Sequence, residues 1–145
     1  MTRRISGLFA LVLSLAFLFA SNPARAQEAD SIFKDYNAYA AYTDEMIATR
    51  QWTPFIQRMG GRDEYTPEQL SGISGRFNSI FRSNFTKRTV FMDQDLGGGM
   101  RREIRAYYGP AGYVFFYAIM HAREDSLIVL NFSLNTKVEA IMERF

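Results

Sequence analysis

His121 is the only histidine in the chain and the one side chain whose unshifted pKa lies near neutrality, so any acid–base chemistry at pH 7 must consider it. A histidine base needs an orienting carboxylate or a substrate within hydrogen-bond reach. Asp93 and Asp95 are the carboxylates that strand pairing could bring there, which makes His121 with Asp93 the candidate catalytic pair. Tyr36, Tyr39, Tyr108, Tyr113 and Tyr117 could send hydroxyls into a cavity beside it, although tyrosines more often pack their rings and hydrate their hydroxyls. The candidate ligand pocket is therefore Tyr36, Tyr108, Tyr113, Tyr117 and His121, set against a purely structural histidine and an aromatic core.

Other chemistries are excluded by residue type. The chain has no cysteine, which removes a thiol nucleophile, disulfides and cysteine-based metal sites, and one histidine cannot make a multi-histidine zinc site. No Gly-x-Ser-x-Gly turn and no Ser-His-Asp order occur. Gly97-Gly98-Gly99 is followed by a strand pattern, whereas a phosphate cradle needs a helix to follow, so it reads as a hairpin loop. Arg101, Arg102 and Arg105 could grip an acidic ligand, or protect a strand edge by charge. Asn84-Phe85-Thr86 and Asn131-Phe132-Ser133 match the glycosylation sequon by chance. No metal and no cofactor are expected.

The start of the chain reads as an address. Arg3 and Arg4, the apolar run Leu8 to Ala20 and Ala24-Arg25-Ala26 have the basic, apolar and small-residue regions of a cleavable export signal, with cleavage between Ala26 and Gln27. The apolar run is shorter than the roughly 20 residues that span a bilayer, and the absent cysteine excludes a lipoprotein, so no stable membrane anchor is expected. Ser6 and Gly7 favour general secretion over the twin-arginine route, and the signal resembles those of Gram-negative periplasmic proteins. Cleavage takes Arg3, Arg4 and Arg25 and no acid, moving the formal charge from +2 by three units to −1, which argues against nucleic acid as a partner. Residues 27–145 then form one domain whose stability rests on packing, supplied by the chain's 8 Tyr, its one Trp and those of its 13 Phe that remain once Phe9, Phe17 and Phe19 leave with the signal.

The elements that must position these residues follow from periodicity. Ile32, Phe33, Tyr36, Tyr39, Ala40, Met46 and Ile47 keep helical spacing, predicting a helix over Asp30 to Arg50. Thr53-Pro54 starts a short helical piece that Gly60-Gly61 ends. Thr66-Pro67-Glu68-Gln69 is a capping box and starts a helix running to about Asn84. From Thr86 the period becomes two: Lys87 to Leu96, Arg101 to Tyr108, Tyr113 to Ala122 and Leu127 to Leu134 are four strands of an antiparallel meander, with a possible short C-terminal helix from Lys137. The fold class is α+β, with N-terminal helices packed on a four-stranded sheet.

Closing the hairpins symmetrically pairs Ile119 with Leu130, Tyr117 with Phe132, Phe115 with Ala106 and Tyr117 with Ile104, a face expected to lie against the helices, with His121 on it opposite Ile128. In the first hairpin either Val90 and Met92 or Phe91 and Asp93 join that face. The opposite face collects Glu103, Arg105, Tyr107, Val114, Phe116, Ala118, Met120, Val129 and Asn131, too apolar for a solvated sheet. Arg105, Tyr107, Phe116 and Met120 are accordingly the candidate partner interface.

Helices followed by a curved antiparallel meander with an aromatic inner face resemble, by element order over Asp30 to Leu134, the nuclear transport factor two-like (cystatin-like) superfamily. That resemblance implies a pocket between sheet and helices and dimerisation through the outer sheet face; the superfamily holds both enzymes and non-catalytic modules. The expected function is a non-catalytic periplasmic binding domain, taking a small apolar ligand or a partner protein. The partners considered are a second copy of the chain or an envelope protein on the outer face. Two alternatives stand beside it: an isomerase-like or hydrolase-like enzyme using His121, and an accessory subunit of an envelope complex.

Overall fold

The computed structural model describes residues 29–145, so the expected export signal lies outside the described residues. The order is β1 (Ile32–Phe33), α1 (Tyr36–Ala48), α2 (Trp52–Ile56), α3 (Pro67–Ile80), β2 (Lys87–Gly97), β3 (Met100–Gly109), β4 (Gly112–Ala122), β5 (Leu127–Asn135) and α4 (Val138–Met142). This is an α+β fold in which helices precede an antiparallel sheet. No helix among the described residues is long and apolar enough to cross a membrane.

Each of the two longer helices starts where the sequence offers a cap. Asp35 accepts from the Ala38 amide at the head of α1, and Thr66 and Gln69 exchange both bonds of the capping box at the head of α3. α1 is shorter than its apolar periodicity suggested, because Ile32 and Phe33 leave the helix to pair with Ile128 and Leu127. α2 runs into a wider turn over Gln57–Gly61 that breaks at Gly60, whose φ of 111° belongs to the left-handed region. A side chain there would also meet the Ser31 hydroxyl. Gly72 and Gly75 have nothing within 4 Å of the point where a Cβ would stand, so they lie on the open side of α3.

Among the described residues the sheet has five strands in the order β1-β5-β4-β3-β2, one more than the periodicity revealed; a strand of two residues has no period to detect. Its central register matches expectation where Phe115 faces Ala106, Tyr117 faces Ile104 and His121 faces Ile128. Between β4 and β5 the register slips at an extra residue, Leu130, so Ile119 faces Asn131 and Tyr117 faces Ser133 instead of Leu130 and Phe132. A second bulge at Phe91 gives the first hairpin a register outside both alternatives. Val90 lies opposite Arg105 and Asp93 opposite Glu103 on one face, while Met92 lies opposite Ile104 on the other.

The two faces are exchanged relative to the sequence reading. Tyr107, Val114, Phe116, Ala118, Met120 and Val129 join Trp52, Phe55, Met59, Leu70 and Phe81 in the main core, under the helices. Ile104, Tyr117, Phe115 and Ile119 form a smaller cluster on the outer face, closed by Ile141 of α4 and by Phe145. Both faces carry large apolar side chains, so hydrophobic pattern alone could not orient the sheet. What decides it is the partner surface: α1 offers hydroxyls and a carboxylate, which Glu103 and Arg105 need and Ile104 and Ala106 do not.

Candidate functional site

The helix-facing surface of the sheet is divided. Under α2 and α3 it is aromatic and aliphatic, with Phe55 edge-on to Phe116 and Phe132 at 5.5 and 6.0 Å between centroids. Under α1 it is charged. Glu103 is fully buried and accepts from Tyr36 (2.7 Å), Tyr39 (2.9 Å) and Arg105 Nε (2.5 Å). Arg105 also donates to Asp44 at 2.9 Å and to the Tyr36 hydroxyl at 3.0 Å, while Tyr107 donates to Asp44 at 2.8 Å. Arg88 of the edge strand closes the chain on the other Asp44 oxygen at 2.8 Å.

This network is built by two matching spacings. Residues 103, 105 and 107 share one face of β3, and Tyr36, Tyr39 and Asp44 lie on one face of α1. Burial works against the Arg105 cation, yet the hydrogen bond and charge of Glu103, with Tyr107 and Tyr39, outweigh it and hold the guanidinium pKa above its ordinary value. Burial, reinforced by the Glu103 charge, raises Tyr39 well above the usual tyrosine value, and burial likewise raises Tyr36, with the Glu103 hydrogen bond as the next cause. Burial also raises Tyr107. Because these neutral tyrosines hold their protons more tightly folded than unfolded, their contribution is complete below pH 10, the ordinary tyrosine value, and is lost as pH climbs through the raised folded values. Denaturant midpoints measured at rising pH should therefore fall beyond about pH 10; a flat profile to about pH 12 would contradict the network.

Two of the cavities that open at the surface of the described residues lie beside the sheet, and His121 lines neither of them. The first, about 400 Å³, is a groove between the helical layer and β5. Its floor is Ile56, Met59, Ile73 and Phe77 from the helices and the adjoining turn, and one wall is the unbroken run Val129–Leu134. The second, about 460 Å³, lies at the hairpin end and contains Tyr36, Asp93, Asp95 and Arg101. There Arg101 donates to Asp93 at 2.7 Å through Nε and again through its second nitrogen, and its guanidinium lies 4.2 Å from the centre of the Tyr36 ring. Arg101 is thus engaged by a carboxylate of its own chain.

The structure does not assemble the pocket expected from sequence. Tyr36 is on the helical side, whereas Tyr108, Tyr113, Tyr117 and His121 are on the outer face, where Tyr108 and Tyr113 stack at 5.1 Å. Asp93 faces the helical side with Glu103, so the sheet separates it from His121 and the pair has no shared site. His121 packs instead near Gly99, where an added side chain would strike its ring and the Ala122 carbonyl. The residues assigned to an outer interface, Arg105, Tyr107, Phe116 and Met120, are at most 2% exposed, buried beneath the helices. Sequence reasoning missed Glu103 and Asp44, and with them the groove beside β5. A polar stripe on a helix matching a polar stripe on a strand was the available signal; the strand stripe was assigned to an outer partner surface instead.

Comparison with known proteins adds no relative: no family model, no curated protein and no solved structure matches the chain.

Proposed function

We propose that this chain is a small exported binding domain, non-catalytic, that captures an extended polypeptide segment of alternating apolar and polar side chains in the groove beside β5. The observation that supports the reading is the six-residue run Val129–Leu134 lining a groove with an apolar floor and polar sides, along a strand edge that the β1 segment covers only from Leu127 to Val129, where the Val129 amide donates to the Ser31 carbonyl. A strand edge presents backbone donors and acceptors, which an extended peptide satisfies and a small apolar ligand does not. β1 itself pairs there in the antiparallel sense, so the edge already accepts chain in this mode. Alternate side chains of an added strand would reach Ile73 and Phe77, with Glu64 and Arg144 at the rim. The basic, apolar and small-residue pattern of residues 1–26 supports export to the periplasm, and helices before a meander support a likeness to nuclear transport factor two-like domains.

Titration with a seven-residue peptide of alternating valine and threonine, followed by amide NMR, tests the reading. The expected shifts lie along Val129–Leu134 and the facing side of α3. Ile73→Glu places a charge on the apolar floor at a half-buried position and should weaken binding by about tenfold or more, the effect of burying an unpaired charge, with the fold intact. Shifts confined to the outer sheet face, or an affinity unchanged by Ile73→Glu, would remove the groove from the function.

A further inference from the structure

We propose that two copies of this chain associate reversibly through the free edge of β2, forming one continuous antiparallel sheet about a two-fold axis between Val90 and Phe91. β2 is 11 residues long, pairs with β3 on one side only, and leaves Val90 at 37% and Phe91 at 41% exposure. Its charges are segregated: Lys87 and Arg88 begin it, Asp93 and Asp95 end it. Parallel pairing would set like charges side by side. Antiparallel pairing about the stated axis sets Arg88 of each copy opposite Asp93 of the other, twice, as a two-fold interface requires.

The bulge makes the Arg88–Asp93 pairs on either side of the axis match in facing as well as in charge. Directly opposed residues of an antiparallel pair share a face. In a regular strand Arg88 and Asp93, five positions apart, would point to opposite faces. Here Arg88 lies opposite Tyr107 and Asp93 opposite Glu103, both of which face the helices, because the extra residue at Phe91 reverses the alternation. Thr89 and Met92 are opposed in the same way on the outer face. Arg88 contacts Asp44 through Nε and Asp93 contacts Arg101, yet their side chains remain 57% and 42% exposed and so reach beyond the edge. A bulge and end charges also discourage indiscriminate edge pairing, which leaves this single register as the favoured one. One strand edge buries less than the roughly 1,200 Å² of a standard interface, so the dimer is weak and concentration-dependent.

Sedimentation velocity across a concentration series tests this, with circular dichroism melts as the folding control. The wild-type protein should pass from monomer to dimer, and added salt should move the transition to higher concentration. Arg88→Glu opposes two carboxylates at each end and Asp93→Lys opposes two cations, so each should weaken self-association by at least about tenfold. Mixed in equal amounts, the two variants should recover dimer, since the introduced carboxylate of one then meets the introduced ammonium of the other and the native pair forms at the opposite end. Should either variant fail to fold, Phe91→Lys carries the test: it touches neither Asp44 nor Arg101 and sets two ammonium groups beside the axis. A wild type that stays monomeric at its solubility limit, variants that dimerise as well as wild type, or folded variants whose mixture stays monomeric would each overturn the proposal.

Discussion

Glu103→Gln is expected to cost about 3 kcal/mol or more of folding stability, because it leaves the guanidinium of Arg105 buried with half its charge compensation removed. Arg105 is 2% exposed and cannot recover hydration without opening the α1–sheet contact. The glutamine keeps the size of the side chain, so a cavity does not explain the loss. For a domain of this length the melting temperature should fall by roughly 10 °C or more, measured by calorimetry. The Arg105→Met partner should cost a similar amount, since it leaves the Glu103 carboxylate with two tyrosine hydroxyls alone. Combined, the two substitutions should cost less than their sum by more than about 1 kcal/mol, the signature of a coupled pair. Additive effects would show that Tyr36, Tyr39 and Asp44 hold each charge independently.

Trp52→Ala should be comparably damaging, at about 3–5 kcal/mol. Trp52 is the only tryptophan, is 1% exposed, and packs 4.8 Å from Phe77 and within 6.4 Å of Phe81 and Phe85. Those three phenylalanines come from α3 and the chain leaving it, so the indole joins α2 to the whole segment leading into the sheet. Its N–H donates to Asn78 at 3.0 Å, and Asn78 is exposed enough to hydrate when the donor is lost. Trp52→Phe should therefore retain most of the stability and cost about 1 kcal/mol. Equal losses from alanine and phenylalanine would place the importance of Trp52 in its hydrogen bond. Chemical denaturation followed by far-ultraviolet circular dichroism distinguishes the two without needing the indole as reporter.

Local signals in the sequence were legible because their causes are local. The capping box at Thr66 and Gln69 needs four residues, and the turns at Gly97-Gly98-Gly99 and Gly109 to Gly112 need only backbone freedom and a change of period. Facing was not legible, because choosing between Phe116 and Phe115 requires knowing what covers each. Pairing beyond Leu130 was not legible either: a bulge adds one residue without altering composition, and it moved Tyr117 from Phe132 to Ser133. The candidate site suffered from both. His121 and Asp93 were joined by a register that put them on one face, and the irregularity at Leu96, between the turn and Asp93, puts them on two. Glu103 and Arg105 were hidden by their assignment to an outer partner surface, because nothing within β3 announces that a helix of the same chain brings matching polar groups.

The divided underside of the sheet has a consequence for how the sequence can vary. Where α2 and α3 rest on Phe116, Phe132 and their neighbours, contact depends on volume and shape, which many combinations of apolar side chains supply. Where α1 rests on Glu103 and Arg105, contact depends on donors meeting acceptors at fixed positions, and a helix shifted by one residue would satisfy none of them. A library randomised under α2 and α3 should thus return many folded sequences with mixed cores, while one randomised at Tyr36, Tyr39, Asp44, Glu103 and Arg105 should return few, each either close to the native set or apolar throughout.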